Sequence, residues 1–267
     1  MAAGNCPIWP RSSAHSDNTI SPESGLTRTL AEMRPPRPWA QKPMPPTITL
    51  HLHRRAHRCK LTGSAVDNER VLTIMNKGLF GYTAKIDKGG YVTLEPNDMV
   101  GPASPQQEAM HKYLDQIISS SSDVTVDVGS STKDTLVGSY VGESIDIGDI
   151  EAMAGKGGAT EEGALIHELV EQYHKQVKGT GYGGESSGAH GKGIAAENEV
   201  NGTVRGAQKV VRVTQNADGT INAVVEIPYT HPDGRVVTTT LTITENNVTK
   251  AEDKVTKTAS KKGSGGK

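Results

Sequence analysis

The stretch from Glu161 to Lys178 reads EEGALIHELVEQYHKQVK, and it places metal-binding residue types on a predicted helix. At about 100° per residue, one arc of this helix is apolar and contains Ile166, Leu169, Val170, Tyr173 and Val177. The neighbouring arc carries His167, Glu171 and His174. The stretch therefore predicts an amphipathic helix that turns one face to a core and presents imidazole and carboxylate groups beside it.

The residues at both ends of this stretch are typical of helix termini. Thr160 is a suitable N-cap, and Glu161 and Glu162 complement the positive end of the helix dipole. Gly179 suits the left-handed conformation that commonly follows the last turn of a helix. The end signals therefore agree with the periodicity of the apolar residues.

The polar arc of this helix has two interpretations. In the zincin pattern His-Glu-x-x-His, two ligands one turn apart bind zinc, and the intervening Glu acts as a general base. This chain has HELVE at 167–171, so Glu171 replaces the second histidine, and His174 could supply the missing imidazole one turn later. The alternative is a solvent-exposed face, stabilised by a Glu171–Lys175 pair at i,i+4 spacing.

Composition divides the 267 residues into three parts. Nine of the 14 prolines precede residue 47, and the first 62 residues hold nine Lys or Arg against three acidic residues. Such a segment lacks the apolar periodicity that a core requires. We therefore predict a disordered Pro/Arg-rich segment over 1–64, a folded domain over 65–245 and a disordered Lys/Gly/Ser-rich tail over 246–267.

Composition also excludes several classes of protein and site. Cys6 and Cys59 are the two cysteines and precede the predicted domain, so a metal site within it must use His, Asp or Glu. No run approaches the ~18 apolar residues of a membrane span, which predicts a soluble protein, either cytoplasmic or secreted as an effector. The basic tails lack interleaved aromatic residues, so nucleic acid is not an expected partner.

The remaining patterns predict an α+β fold. Ser104, followed by Pro105 and Gln107, predicts a helix that opens with a capping box. Alternating stretches bounded by turn residues predict strands and hairpins, and they cover 80–86, 91–94, 123–128, 144–150, 208–215, 220–227 and 235–244. We expect a small mixed or antiparallel sheet, a helix with the site residues, a second ligand-bearing helix and C-terminal β-hairpins.

The second ligand-bearing helix is predicted over 190–204. Its apolar arc includes Val200 and also Glu197, whereas Glu199 lies on the opposite side. A carboxylate on a buried face costs several kcal/mol unless it is paired or bound to a metal. Glu197 therefore needs a partner, and His190 lies on nearly the same face. Two helices of this kind predict a metal site shared between them.

The two helical stretches carry a resemblance to a known family. IHELVEQYHKQ followed by HGKGIAAENEVNG resembles the zincin-like metallopeptidase domains of bacterial effectors and Rhs-type polymorphic toxins, over roughly 144–204. The resemblance implies a zinc ion with His167 as first ligand, Glu168 as general base and Glu197 as third ligand. Glu171 stands at the position of the family's second histidine, so the pattern is HExxE, and either Glu171 or His174 completes the ligand set.

The resemblance also implies an activity and its partners. Zinc would acidify a water molecule, Glu168 would take its proton, and a peptide carbonyl would be attacked. The strand 144–150 would offer an edge to an extended peptide, and Tyr173, Tyr182 and His190 are candidates for stabilising the oxyanion. A peptide or protein substrate and an immunity protein are the expected partners. The alternative is a non-catalytic α+β binding or toxin-associated module with a degenerate metal site.

Overall fold

The computed structural model describes residues 59–153 and 157–256. Six of their strands form a mixed sheet, sheet A: β1 (Cys59–Gly63), β2 (Tyr82–Ile86), β3 (Tyr91–Pro96), β4 (Val124–Gly129), β5 (Gly138–Ser139) and β6 (Ser144–Asp146). Their order across the sheet is β2-β3-β1-β4-β6-β5. Strands β1, β4 and β6 are parallel, whereas β5 runs antiparallel to β6 at one edge.

Five further strands of the described residues form sheet B: β7 (Val204–Arg205), β8 (Lys209–Gln215), β9 (Ile221–Thr230), β10 (Val236–Thr244) and β11 (Asn247–Thr256). The order is β11-β10-β9-β7, and β8 also pairs with β9. All of these pairings are antiparallel. The Asp-Gly turns between β8 and β9 and between β9 and β10 predict two of them.

The helices of the described residues are α1 (Ala65–Gly78), α2 (Pro105–Ile118), α3 (Ile147–Ala152), α4 (Glu161–Gln176) and α5 (Gly188–Asn201). The capping box of α2 is present, because the Ser104 hydroxyl accepts from Gln107 N and the Gln107 side chain accepts from Ser104 N. Helix α4 begins at its predicted N-cap, since Thr160 Oγ1 accepts a hydrogen bond from Gly163 N. These local signals are confirmed.

One apolar core connects the two sheets and α4. It includes Val126 of β4, Leu169 of α4 and Ile227 of β9, all buried. The predicted α+β class, with a mixed sheet, an antiparallel sheet and C-terminal hairpins, is confirmed. No helix among the described residues is both long and apolar enough to cross a membrane.

The predicted domain boundaries need correction. Strand β1 lies within the segment predicted to be disordered, and it pairs with β3 and β4 in the middle of sheet A. Strand β11 lies within the predicted tail, where Val248 and Ala251 pack in the core while polar side chains face outward. Strand β1 is stabilised by partners that are distant in sequence, β3 and β4. The polar strand β11 is stabilised by pairing with the more apolar β10. Residues 1–58 and 257–267 of the predicted segments lie outside the described residues.

The stretch 144–150 also differs from its prediction as a single strand. Only β6 is extended, and Asp146 then caps α3 by accepting hydrogen bonds from Gly148 N and Asp149 N. An Asp that can cap a helix ends the alternating pattern at that point. Strand β6 pairs on both sides, with β4 and β5, so the edge beside α4 belongs to β5 and not to β6.

Candidate metal centre

Helix α4 buries the polar arc that the sequence places beside its apolar face. Every residue of 163–173 is buried, with His167 4 % and Glu171 3 % exposed. Helix α5 packs along α4 and covers this arc. The solvent-exposed alternative is therefore wrong, and Lys175 pairs with Glu143 at 3.0 Å instead of Glu171.

A glycine allows α5 to approach α4 closely at this point. A side chain at Gly193 would lie 2.8 Å from both the Cδ2 and the carbonyl oxygen of His167, which is too close for any other residue. The approach brings the buried ring of His190, in the first turn of α5, against the two site residues of α4. The contact between the helices thus assembles groups that are 19 to 23 residues apart in the chain.

Three donor atoms from the two helices converge. His190 Nδ1 lies 2.9 Å from Glu171 Oε2 and 3.2 Å from His167 Nε2, and the third separation, between His167 Nε2 and Glu171 Oε2, is 3.8 Å. Ligand atoms about 2.0–2.1 Å from a tetrahedral zinc ion lie about 3.3 Å from one another. These three residues, the His–Glu–His group, are buried and could hold a metal ion.

The charges around the His–Glu–His group favour a cation. Burial opposes protonation of His167, but hydrogen bonds with Glu171 and Glu197 outweigh it and raise its pKa to about 9. Burial opposes ionisation of Glu171, but the two imidazoles hold its pKa below the usual range. Burial lowers the pKa of His190, which favours the neutral ring that a metal requires. Without a metal, the protonated His167 balances the Glu171 carboxylate, and a bound cation would take the place of that proton.

Glu197 is buried at the site but does not belong to the donor group, contrary to the predicted role as a ligand. Its Oε2 lies 2.8 Å from His167 Nδ1, on the side of the ring opposite the donor Nε2. A carboxylate that accepts from Nδ1–H fixes the tautomer and orientation of a metal-binding imidazole. Burial opposes its ionisation, but Arg205 and His167 lower its pKa to about 2. Glu197 thus contacts a candidate donor, His167, and is not part of the donor group itself.

The structure does not bring His174, the other predicted ligand, to this group. Seven residues after His167, its backbone lies about 10.5 Å further along the helix axis. Its half-buried ring instead packs edge-on against Tyr173, with the centroids 5.4 Å apart. Burial, together with Lys192 and Lys178, lowers its pKa.

Glu168, the predicted general base, is buried beside the group and next to the edge strand β5. A side chain at Gly138 would overlap its carboxylate, so the backbone of β5 covers it directly. Burial raises the pKa of Glu168 to about 7, against the opposing effect of His167. A carboxylate whose pKa lies near neutrality is suited to accept a proton and to return it.

The loop between the helices holds an aromatic wall against the group. Tyr182 stacks on the His190 ring, with the centroids 4.9 Å apart, and Tyr140 meets Tyr182 edge-on at 5.3 Å. The loop is tied to α5, because His190 N donates to Tyr182 O at 2.9 Å. Gly183 adopts a positive φ of 76°, where a side chain would meet the backbone of the next turn.

Sequence reasoning missed His190 as a donor and missed two residues that contact Glu197. The available signal for His190 was its position on nearly the same helix face as Glu197. Arg205 and Tyr229, which bind Glu197 in the structure, come from sheet B, and no pattern in the sequence around them indicates this contact.

A cavity of about 310 Å³ beside Lys77, Gln107 and Thr160 contains none of the site residues.

In comparisons with known proteins, no family model, curated protein or solved structure matches the chain. Function must therefore be inferred from the chemistry of the site itself.

Proposed function

We propose that this protein is a zinc-dependent peptide hydrolase of the zincin-like effector kind, with His167, Glu171 and His190 as the zinc ligands. The observation that carries the proposal is the convergence of these three donors beside the carboxylate of Glu168. Three protein ligands leave a coordination position for water or substrate, which is the pattern of catalytic rather than structural zinc sites. The HExxE sequence then needs no second histidine of its own, because His190 of α5 supplies the second imidazole.

The donor set excludes metals that prefer oxygen ligands alone, such as magnesium and calcium. Two imidazoles and one carboxylate are typical of catalytic zinc and also of non-haem Fe(II) sites, and of the two the His-Glu pair at 167–168 of a helix favours zinc. When bound, zinc supplies a Lewis acid that acidifies water and polarises a carbonyl group. His167 would bind through Nε2, since its Nδ1 is engaged with Glu197.

Glu168 has the role of general base in this proposal. It takes a proton from the attacking water and returns it to the departing amine. Its pKa of about 7 suits both transfers. Burial under Gly138 keeps competing water away from the carboxylate, which strengthens its interaction with the charges that develop during reaction.

A peptide is the proposed substrate because of the family resemblance and the position of β5. This two-residue strand is the edge of sheet A and lies directly against Glu168. An extended chain that replaced the hydrogen bond from Gln172 Nε2 to Ser139 O would place a peptide bond near the base. The aromatic wall of Tyr140 and Tyr182 borders the same region and offers apolar surface to a substrate side chain.

The test is metal analysis of the full chain, purified without a histidine tag and supplemented with zinc, followed by peptide-library digestion. We expect near-stoichiometric zinc and cleavage at defined sites. Glu168→Gln should retain zinc and lower the cleavage rate by about 10²-fold or more, whereas the control Glu199→Gln, in the exposed part of α5, should change neither. Absence of zinc in the wild-type chain would instead support the non-catalytic module.

A further inference from the structure

Sheet B contributes two side chains that hold Glu197 in place beside the metal ligand His167. Arg205 Nη1 donates to Glu197 Oε2 at 2.8 Å, and the Tyr229 hydroxyl donates to Glu197 Oε1 at 2.9 Å. We propose that Arg205 and Tyr229 are positioning residues for the metal centre, which act through Glu197 on the orientation of the His167 imidazole. This inference rests on the proposed function, since it assumes that the His–Glu–His group binds zinc.

The contacts leave the carboxylate of Glu197 no freedom to rotate. Its Oε2 accepts from both His167 Nδ1 and Arg205 Nη1, each at 2.8 Å, while Oε1 accepts from Tyr229. The direction of the Nδ1–H bond fixes the plane of the imidazole. Because Nε2 lies on the opposite side of the ring, that plane also determines where its lone pair points. A shift of Glu197 would therefore move the donor atom of His167.

Strand pairing places both side chains at the same carboxylate. Arg205 of β7 and Tyr229 of β9 are direct cross-strand partners in the antiparallel register. Arg205 is fixed further because its backbone N donates to Asn198 Oδ1 at 2.7 Å and its Nη2 donates to Gln208 Oε1 at 3.3 Å. Side chains opposite each other in neighbouring strands lie on one face of the sheet. One edge of sheet B thus holds the end of α5 that carries Glu197.

The arrangement is costly for stability alone. The Arg205 and Glu197 side chains are 9 % and 4 % exposed, so both charges are largely removed from water. Replacing such a pair by apolar residues is often neutral or stabilising in other proteins. A role in orienting His167 accounts for a buried charge pair at this position. A purely structural role would leave the coordination geometry of a bound metal independent of Arg205 and Tyr229.

The same helix provides a matched control. Two residues after Glu197, the exposed Glu199 accepts from the Tyr113 hydroxyl at 2.8 Å and from Lys112 Nζ at 2.5 Å. This pair of contacts repeats the chemistry of the Glu197 contacts without any connection to the metal group. Lys112 and Tyr113 lie in α2, and their variants therefore report the cost of removing a cation or a tyrosine hydroxyl from contact with a glutamate of α5.

The experiment measures zinc affinity by competition with a chelator in the full chain and records the d–d absorption spectrum after substitution with Co²⁺. We expect Tyr229→Phe to weaken zinc binding by about 3- to 10-fold and Arg205→Met by about 10- to 100-fold. Both variants should alter the Co²⁺ spectrum, and Arg205→Lys should recover part of the affinity. The controls Tyr113→Phe and Lys112→Met should match the wild type in both measurements.

The outcomes separate this inference from the proposed function. If the wild-type chain binds zinc but the folded Tyr229→Phe and Arg205→Met variants bind it with wild-type affinity and spectrum, the positioning role is wrong and the proposed function stands. If the wild-type chain binds neither zinc nor Co²⁺, both proposals fail. Should Arg205→Met not fold, as judged by circular dichroism, Tyr229→Phe decides, because it removes one hydroxyl and keeps the ring that packs in the core.

Discussion

His167 Nε2 and His190 Nδ1 face each other at 3.2 Å, although the two residues belong to different helices. Two ring nitrogens at this distance cannot both direct a proton at the other, and Glu171 Oε2 lies 2.9 Å from the second of them. A cation between the three atoms would satisfy all of their lone pairs at once. The position of His190 is therefore the main reason to interpret the His–Glu–His group as a metal site.

Replacement of His190 and of His174 by alanine, one at a time, tests that assignment. We expect His190→Ala to lose bound zinc, because only two donors remain, whereas His174→Ala should retain it, because that ring packs against Tyr173 outside the group. The measurement is the zinc content after dialysis against a zinc-buffered solution. Retention by His190→Ala together with loss by His174→Ala would restore the ligand set expected from the helix sequence alone.

Gly193→Ala is expected to separate the two helices at the metal group. The added methyl group would lie 2.8 Å from His167, so α5 must shift, which costs about 1–3 kcal/mol of unfolding free energy. Zinc affinity should fall with it, since His190 moves together with α5. Urea denaturation and zinc titration check the two effects. The control Gly181→Ala, where a methyl group meets no atom within 4 Å, should be close to the wild type.

Gly138→Ala is expected to disable the base without removing the metal. Its methyl group would overlap the Glu168 carboxylate and force that side chain to a new position, while the three donors remain in place. Displacement of a catalytic group by about 1 Å can lower a rate by about 10²-fold. Peptide cleavage and zinc content are measured on the same preparation. Normal cleavage by this variant would show that Glu168 does not act from the observed position.

Much of the fold was predictable, because its signals are local. The capping residues Ser104 and Thr160 and the apolar periods of their helices depend only on residues within a few turns. The burial of Glu197 also followed from its position within an apolar arc. By contrast, β1 and β11 were missed, since a short or polar strand is stabilised by its neighbours in the sheet and not by its own composition.

The composition of the site was less predictable than the helix that carries it. The sequence indicated His167, Glu168 and Glu171, which share one helix. The third donor depends on how closely α5 approaches α4, and that distance is set by Gly193. The sequence contains no information on the distance between two helices joined by a glycine-rich loop, so Glu197 was predicted as the third ligand and His190 was not. In the structure, His190 supplies a donor atom, whereas the Glu197 carboxylate contacts the donor residue His167.

Asp149 predicts a pH dependence of stability that is independent of the metal group. Its buried carboxylate accepts from Val137 N at 2.9 Å and from Val248 N at 2.7 Å, and it thereby connects the edge of sheet A with β11. Burial outweighs these hydrogen bonds and raises its pKa from 3.8 to about 6. The folded protein thus binds a proton at Asp149 more tightly than the unfolded chain does.

Because folding raises the pKa of Asp149, the protein is expected to lose stability as the pH rises. The stabilising contribution of the Asp149 proton is fully present below about pH 4 and is lost as the pH rises through about 6. Relative to Asp149→Asn, which does not titrate, the wild-type chain should therefore lose about 2 kcal/mol of unfolding free energy between pH 4 and pH 7. Urea denaturation of both proteins across this range, in the presence of a chelator, measures the difference. The control Asp233→Asn should show no such slope relative to the wild type, because the backbone N–H and guanidinium of Arg235 lower the pKa of Asp233 and place its titration below this range. A difference between wild type and Asp149→Asn that stays constant with pH would show that Asp149 is ionised throughout, held by its two backbone donors.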